Sequence, residues 1–106
     1  MDKNPELELE AMKKGAEAGH PSIQCNLGDV LLAGKRLPQD DGEGLAWYQK
    51  AAKSGNARGM FSVGFCHENG RGVEKNLDQA IAQYRLAAAQ SYPAAIEALK
   101  RLNVPK

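Results

Sequence analysis

Leu27-Gly28-Asp29-Val30-Leu31-Leu32-Ala33-Gly34 is followed, 36 positions on, by Val63-Gly64-Phe65-Cys66-His67-Glu68-Asn69-Gly70. The same offset carries Ala46-Trp47-Tyr48-Gln49-Lys50-Ala51-Ala52 onto Ala82-Gln83-Tyr84-Arg85-Leu86-Ala87-Ala88. A fixed period of roughly 20–50 residues marks a stacked-repeat architecture, in which each unit buries its apolar face against its neighbours. Such stacks present one extended surface and usually work by binding. The period thus predicts a kind of function and leaves the partner open.

The residues inside the period predict helices. Threonine is absent, and Ala, Leu, Glu, Lys and Gln dominate, a balance that favours helix over strand. Asn4-Pro5 opens a helix to about Ala18, closed by Gly19. His20-Pro21 opens the next, ending near Ala33 before Gly34. Asp40 with Glu43 and Asn76 with Gln79 have capping-box spacing at the same place in the two copies. Asn56 or Ala57 and Tyr92-Pro93 open the remaining helices. The result is about six antiparallel helices in a single domain spanning residues 1–106: a half-repeat (4–20), two whole repeats (21–56 and 57–92) and a trailing half-repeat (93–106). Within each repeat, helix A precedes helix B. Gly42 and Gly44 make residues 40–44 the least stable helix start expected.

Composition excludes several classes. With 14 basic and 13 acidic residues, interspersed and summing to +1, the chain offers no electrostatic case for nucleic acid or an anionic membrane. Its apolar runs fall well short of the roughly 20 residues a membrane helix needs. The N-terminus lacks an apolar signal core, so a cytoplasmic location is the default, although trimming of a secretory leader would leave the same appearance. Cys25 and Cys66 lie 41 positions apart rather than 36 and are expected to be free thiols in a reducing compartment.

Taken together, the residues resemble the Sel1-like repeat, an α/α solenoid module related to the tetratricopeptide repeat. The likeness runs through Leu27, Gly28, Gly34, Leu37, Pro38, Trp47, Tyr48, Lys50, Ala51, Ala52 and Gly55. It recurs through Ala57, Gly59, Val63, Gly64, Gly70, Gly72, Val73, Ala80, Tyr84, Ala87 and Ala88. In the leading helix, Met12, Ala16 and Gly19 stand where Tyr48, Ala52 and Gly55 stand. The resemblance implies an all-α, right-handed solenoid with A helices on the concave side. Departures fall at Leu31 and His67, where the family tends to place an aromatic, and at Gln83 in place of Trp; they loosen the second repeat. Mid-helix Gly28 and Gly64 signal close approach of another backbone. Gly70 and Gly72 flank a loop position that calls for positive φ, and Arg36 in place of Gly72 predicts a different or strained first loop.

Catalytic candidates are few. Consecutive helical residues point about 100° apart, so Cys66 and His67 do not form a nucleophile–base pair. His67 is read as filling an aromatic core position, and His20 as a helix-boundary residue. Some secreted members of the resembled family are linked to penicillin binding or β-lactamase activity, but no Ser here is followed three residues later by Lys, as an S-x-x-K site requires. Neither Gly42-Glu43-Gly44 nor Gly70-Arg71-Gly72 completes a dinucleotide loop. No enzyme, cofactor or metal is expected.

A helical wheel places Ile23, Leu27 and Leu31 on the buried face of the first A helix, opposite Ser22, Cys25, Asn26, Asp29, Leu32 and Ala33. Adding 36 yields Arg58, Phe61, Ser62, Phe65, Glu68 and Asn69, and the trailing helix supplies Ala94, Glu97, Ala98 and Arg101. The expected partner-binding set is Ser22, Asp29, Arg58, Phe61, Phe65, Asn69, Glu97 and Arg101, with Phe61, Phe65 and Arg58 as anchors. The expectation is a non-catalytic module or adaptor binding a peptide or protein surface. The alternatives are a small inhibitor or immunity-type protein occluding an enzyme, and a self-assembling unit joined weakly through its end helices.

Overall fold

Prolines and short polar side chains start the helices. The computed structural model describes residues 5–104 and, among them, six helices and no strand. These are α1 (Pro5–Glu17), α2 (Pro21–Ala33), α3 (Asp41–Lys53), α4 (Ala57–Asn69), α5 (Leu77–Ala88) and α6 (Pro93–Arg101). The expected Asn4 cap lies outside the described residues. Asp40, Asn56 and Asn76 each accept a hydrogen bond from a backbone N–H three residues on, at 3.0, 2.8 and 3.1 Å. Each bond satisfies one of the amides a helix start leaves open. Pro21 and Pro93 supply the other form of start, behind His20 and Tyr92.

The chain packs as an all-α solenoid, element on next element, over 48 × 25 × 24 Å. Helices α2 and α4 are the A type; α3 and α5 are the B type. Each A–B hairpin buries the apolar face that neither helix could hide alone. Two glycines determine how closely they approach. A Cβ on Gly28 would lie 2.5 Å from the Tyr48 ring, and one on Gly64 would lie 2.7 Å from the Tyr84 ring. It is therefore a tyrosine ring from helix B, more than a backbone, that requires each mid-helix glycine.

Between repeats, the contact is matched by exchange of size. Ile23 of α2 fills the space over Gly15 of α1, where a Cβ would meet it at 2.7 Å. One period on, the volume sits on the other helix: Gly59 lies over Ala51, its added Cβ 2.8 Å from the alanine's. At the third junction both residues are alanines, Ala87 and Ala95, both fully buried. At the first two junctions a glycine on one helix makes room for the larger side chain of the other, as close packing requires.

The loops bear on two expectations. Gly70 and Gly72 themselves adopt positive φ (68° and 75°), whereas Arg36, in the place of Gly72, is not among the described positive-φ residues. The first loop differs without that strain, and Arg36 pairs with Glu8 at 3.2 Å. In the second loop Arg71 reaches back across the repeat boundary. Its Nε donates to Asp41 at 2.8 Å, and its Nη2 donates to Asp41 at 3.1 Å and to the Leu32 carbonyl at 2.9 Å. The α3 start, expected to be weak, is thus clamped from the following repeat.

Gly42 and Gly44 separate by environment. Gly42 is exposed, with a prospective Cβ only in ordinary contact with Asp40, whereas a Cβ on Gly44 would fall 2.3 Å from Leu32 and 3.1 Å from the Gly28 carbonyl. Gly42→Ala is expected to raise stability by about 0.5–1 kcal/mol through helix propensity. Gly44→Ala is expected to lower it by about 1–3 kcal/mol through overpacking. Urea unfolding of the two variants measures both signs.

Candidate functional site

Helix α2 packs directly on α4, whereas α3 and α5 border an open groove. The A helices therefore form the inner side of the curve, as the resemblance implies. Equivalent positions along this face fall in rows: Asp29, Phe65 and Arg101 form one, and Cys25, Phe61 and Glu97 another.

A tyrosine, an acid and an arginine meet twice on this face. Tyr48 reaches between helices to donate its hydroxyl to Asp29 at 2.5 Å, and Arg58 of α4 pairs with the same carboxylate. Arg58 also donates to Asn26 at 3.0 Å. One repeat later Tyr84 donates to Glu68 at 2.6 Å, and Arg101 of α6 donates to both Glu68 oxygens at 2.8 Å. The tyrosines are period-equivalent but the acids are not, since Glu68 stands one turn beyond the position matching Asp29. Each ion pair thereby ties one A helix to the next, while its acid ties that helix to its own B helix.

These contacts determine the protonation states. Burial, followed by the bond to a carboxylate, raises the pKa of both phenols, so Tyr48 and Tyr84 stay protonated donors. The Arg101 guanidinium holds the Glu68 carboxyl below its ordinary value. Burial pushes the Cys66 thiol up to about 11 and raises Cys25 as well. Both cysteines are free and buried, so they are thiols held away from nucleophilic chemistry. Among the described residues no cluster of three or more side chains could hold a metal, and no helix is long and apolar enough to cross a membrane.

The expected binding residues have different fates. Phe65 is 38% exposed, on the same face as the two ion pairs. Phe61 turns inward, with its ring 5.5 Å from that of Tyr84 and 5.7 Å from that of Tyr92. It packs against the cluster beneath α5 and α6, a correction to its expected place in an open groove. The equivalent Cys25 is fully buried, and Ser62 and Ala98 are also buried, so three wheel positions assigned to solvent belong inside. The physical reason is that neighbouring helices cover these flanks: α4 packs over α2, where Cys25 clusters with Val63 and Cys66, and Ala98 packs against α5, so the buried arc is wider than one hairpin needs. Ser22 is exposed at the start of α2. Asn69 donates to the Phe65 carbonyl in its own helix at 3.0 Å, and Glu97 pairs with Lys100 at 3.6 Å.

Glu68 lies on the wheel without an assigned role; its signal is the i,i+3 spacing to Phe65, together with a tyrosine that needs a partner. The Arg71–Asp41 clamp has no period-2 or period-3.6 signature and emerges only from the packed loops.

The ion pair yields a pH prediction. A carboxyl whose folded pKa is depressed contributes stability that is present above its unfolded pKa and lost as pH falls through the folded value. For Glu68 the decline begins near its ordinary 4.5 and continues below. In Arg101→Met the folded pKa returns toward that value, and the acid-side decline becomes shallower. Urea midpoints against pH test this; parallel curves for wild type and variant would contradict it.

Residues 21–56 and 57–92 each match the Sel1 repeat. A Sel1 repeat protein from Oxalobacter formigenes superposes with a TM-score of 0.88 at 30% identity, covering 95% of this chain and 76% of that one. Helicobacter pylori cysteine rich protein B gives 0.84 at 25% identity, covering 92% and 73%. DAP3-binding cell death enhancer 1 of Rattus norvegicus is 32% identical over 91 residues, 86% of this chain and 18% of that protein. Chitin synthase regulatory factor 3 of Schizosaccharomyces pombe is 35% identical over 92 residues, 85% and 10% respectively. The chain spans less than a fifth of the length of these two curated relatives. Both repeats, the glycine–tyrosine hairpins and the solved neighbours agree: the chain belongs to the Sel1 repeat family.

Proposed function

We propose that the chain is a non-catalytic protein-interaction module that seats a partner on the inner face of α2, α4 and α6, with Phe65 as the apolar anchor. The exposure of Phe65 carries the reading. It is a large ring left at 38% exposure on a face whose charged groups, Asp29 with Arg58 and Glu68 with Arg101, already satisfy one another. A face of that kind offers one apolar plug ringed by polar groups held in place by the scaffold. This is the composition of an interface hot spot. Because the helices and ion pairs are preformed, binding orders few groups and loses little entropy. The relatives' names, a DAP3-binding protein and a regulatory factor for chitin synthase, describe proteins that act on other proteins, which supports the class without supplying this chain's partner.

The narrower reading, a small inhibitor that occludes an enzyme, would use the same face. Self-assembly through the end helices has an obstacle in α6. Lys100 occupies the position that Gly28 and Gly64 hold in α2 and α4, so a further tyrosine-bearing helix could not approach α6 as α3 and α5 approach theirs.

Phe65→Ala and Phe61→Ala separate surface from core. Phe65→Ala is expected to leave the melting temperature unchanged and to remove proteins recovered with the wild-type bait in affinity purification. Phe61→Ala is expected to cost about 1–3 kcal/mol, since its half-buried ring bridges α4, α5 and α6. Identical recovery with the Phe65→Ala bait would overturn the assignment of the face.

A further inference from the structure

The outer side of the solenoid carries two grooves related by the repeat. One lies between α1 and α3 and is lined by Leu31 and Trp47, with Glu17, Asp40 and Glu43 among its bordering residues. The other lies between α3 and α5, 36 residues on, where His67 and Gln83 replace Leu31 and Trp47. The two grooves enclose about 420 and about 600 Å³ respectively. The double exchange sets two polar side chains into the floor, beside Val63 and Met60. Among the described residues three buried side-chain polar atoms lack a hydrogen-bond partner, and two of them, His67 Nδ1 and Gln83 Oε1, belong to this floor. Buried polar atoms are normally paired, so two orphans on facing helices of one groove call for an explanation.

The charges change in the same step. Glu17 becomes Lys53, Asp40 becomes Asn76, Glu43 becomes Gln79 and Lys13 becomes Gln49, while Pro38 becomes Glu74 in the adjoining loop. The lining of the second groove includes Lys50 and Lys53 and no carboxylate, with Glu74 and Lys75 beyond His67 in the adjoining loop. The lining thereby changes from one lysine and three carboxylates to two lysines.

We propose that the α3–α5 groove binds an acidic peptide segment of a partner protein. Its carboxylates meet Lys50 and Lys53, and one main-chain amide meets the floor. A peptide group suits the two orphans because it is both donor and acceptor. Its N–H donates to Gln83 Oε1, and its carbonyl accepts from the His67 ring when Nδ1 carries the proton. Both atoms are sealed from solvent in the free protein, so binding turns the two side chains outward. This site is on the opposite side from Phe65 and stands independently of the function proposed for the inner face.

The test is an NMR titration with a terminally blocked tri-aspartate peptide, with blocked tri-alanine as the uncharged arm. Tri-aspartate at millimolar concentration is expected to move the His67 ring and Gln83 side-chain amide signals, and tri-alanine to bind at least about tenfold more weakly. The paired variant His67→Leu/Gln83→Trp restores the residues of the first groove. It is expected to melt higher than wild type and to bind tri-aspartate about tenfold more weakly. Lys53→Glu, an exposed change that leaves the floor intact, is expected to weaken binding as well. Unmoved floor signals, equal affinity for the two peptides, or undiminished affinity in either variant would overturn the proposal.

Discussion

A tyrosine ring resting on a glycine is the contact on which the rest of the structure depends. In both repeats the ring of helix B occupies the space a Cβ would take on helix A, at Gly28 under Tyr48 and Gly64 under Tyr84. The arrangement specifies two things at once. It brings the helices close enough to bury both apolar faces, and it aims each phenolic hydroxyl through the hairpin toward the inner surface. A glycine in mid-helix costs about 1 kcal/mol relative to alanine; here burial of an aromatic side chain, worth about 1.5–3 kcal/mol, outweighs it.

The hydroxyl links scaffold to surface. Each accepting carboxylate is oriented from below by tyrosine and from the side by an arginine of the next A helix. Exposed ion pairs taken singly contribute little to stability, about 0–1 kcal/mol. Their larger effect here is on what the surface can offer. The charges are consumed internally, so the inner face presents a fixed polar frame and one free aromatic ring. The outer face follows a different rule, because the lining of its second groove holds no carboxylate and carries His67 and Gln83 in its floor. Two sides of one stack thus carry different chemistry on the same packing plan.

Much of this was legible in the chain, and the limits are instructive. The period exposed the glycines, the alanine pairs, the caps and the helix boundaries, because each reflects a contact within one repeat or with its neighbour. The wheel failed where neighbouring helices cover its solvent arc. Cys25, Ser62 and Ala98 fall on that arc and are buried nonetheless; Cys25 packs with Val63 and Cys66 of the next A helix, and Ala98 packs in the cluster between α5 and α6. Phe61 and Phe65, one turn apart with identical side chains, differ only in whether α5 and α6 reach them. No one-helix pattern encodes that difference. Arg71 bridges a boundary through loop geometry, and His67 and Gln83 acquire meaning only when the two grooves are superposed.

At Gly64 the Tyr84 ring, 2.7 Å from an added Cβ, excludes a side chain more than the Ala80 carbonyl at 3.1 Å does. A double-mutant cycle between Gly64→Ala and Tyr84→Leu, measured by urea unfolding, tests it most directly. Beside Tyr84 the added methyl should destabilise by about 1–3 kcal/mol. Beside a leucine whose flexible tip can turn aside, the same methyl should be neutral or stabilising, as helix propensity alone dictates. Additivity of the two changes within about 0.5 kcal/mol would contradict the account.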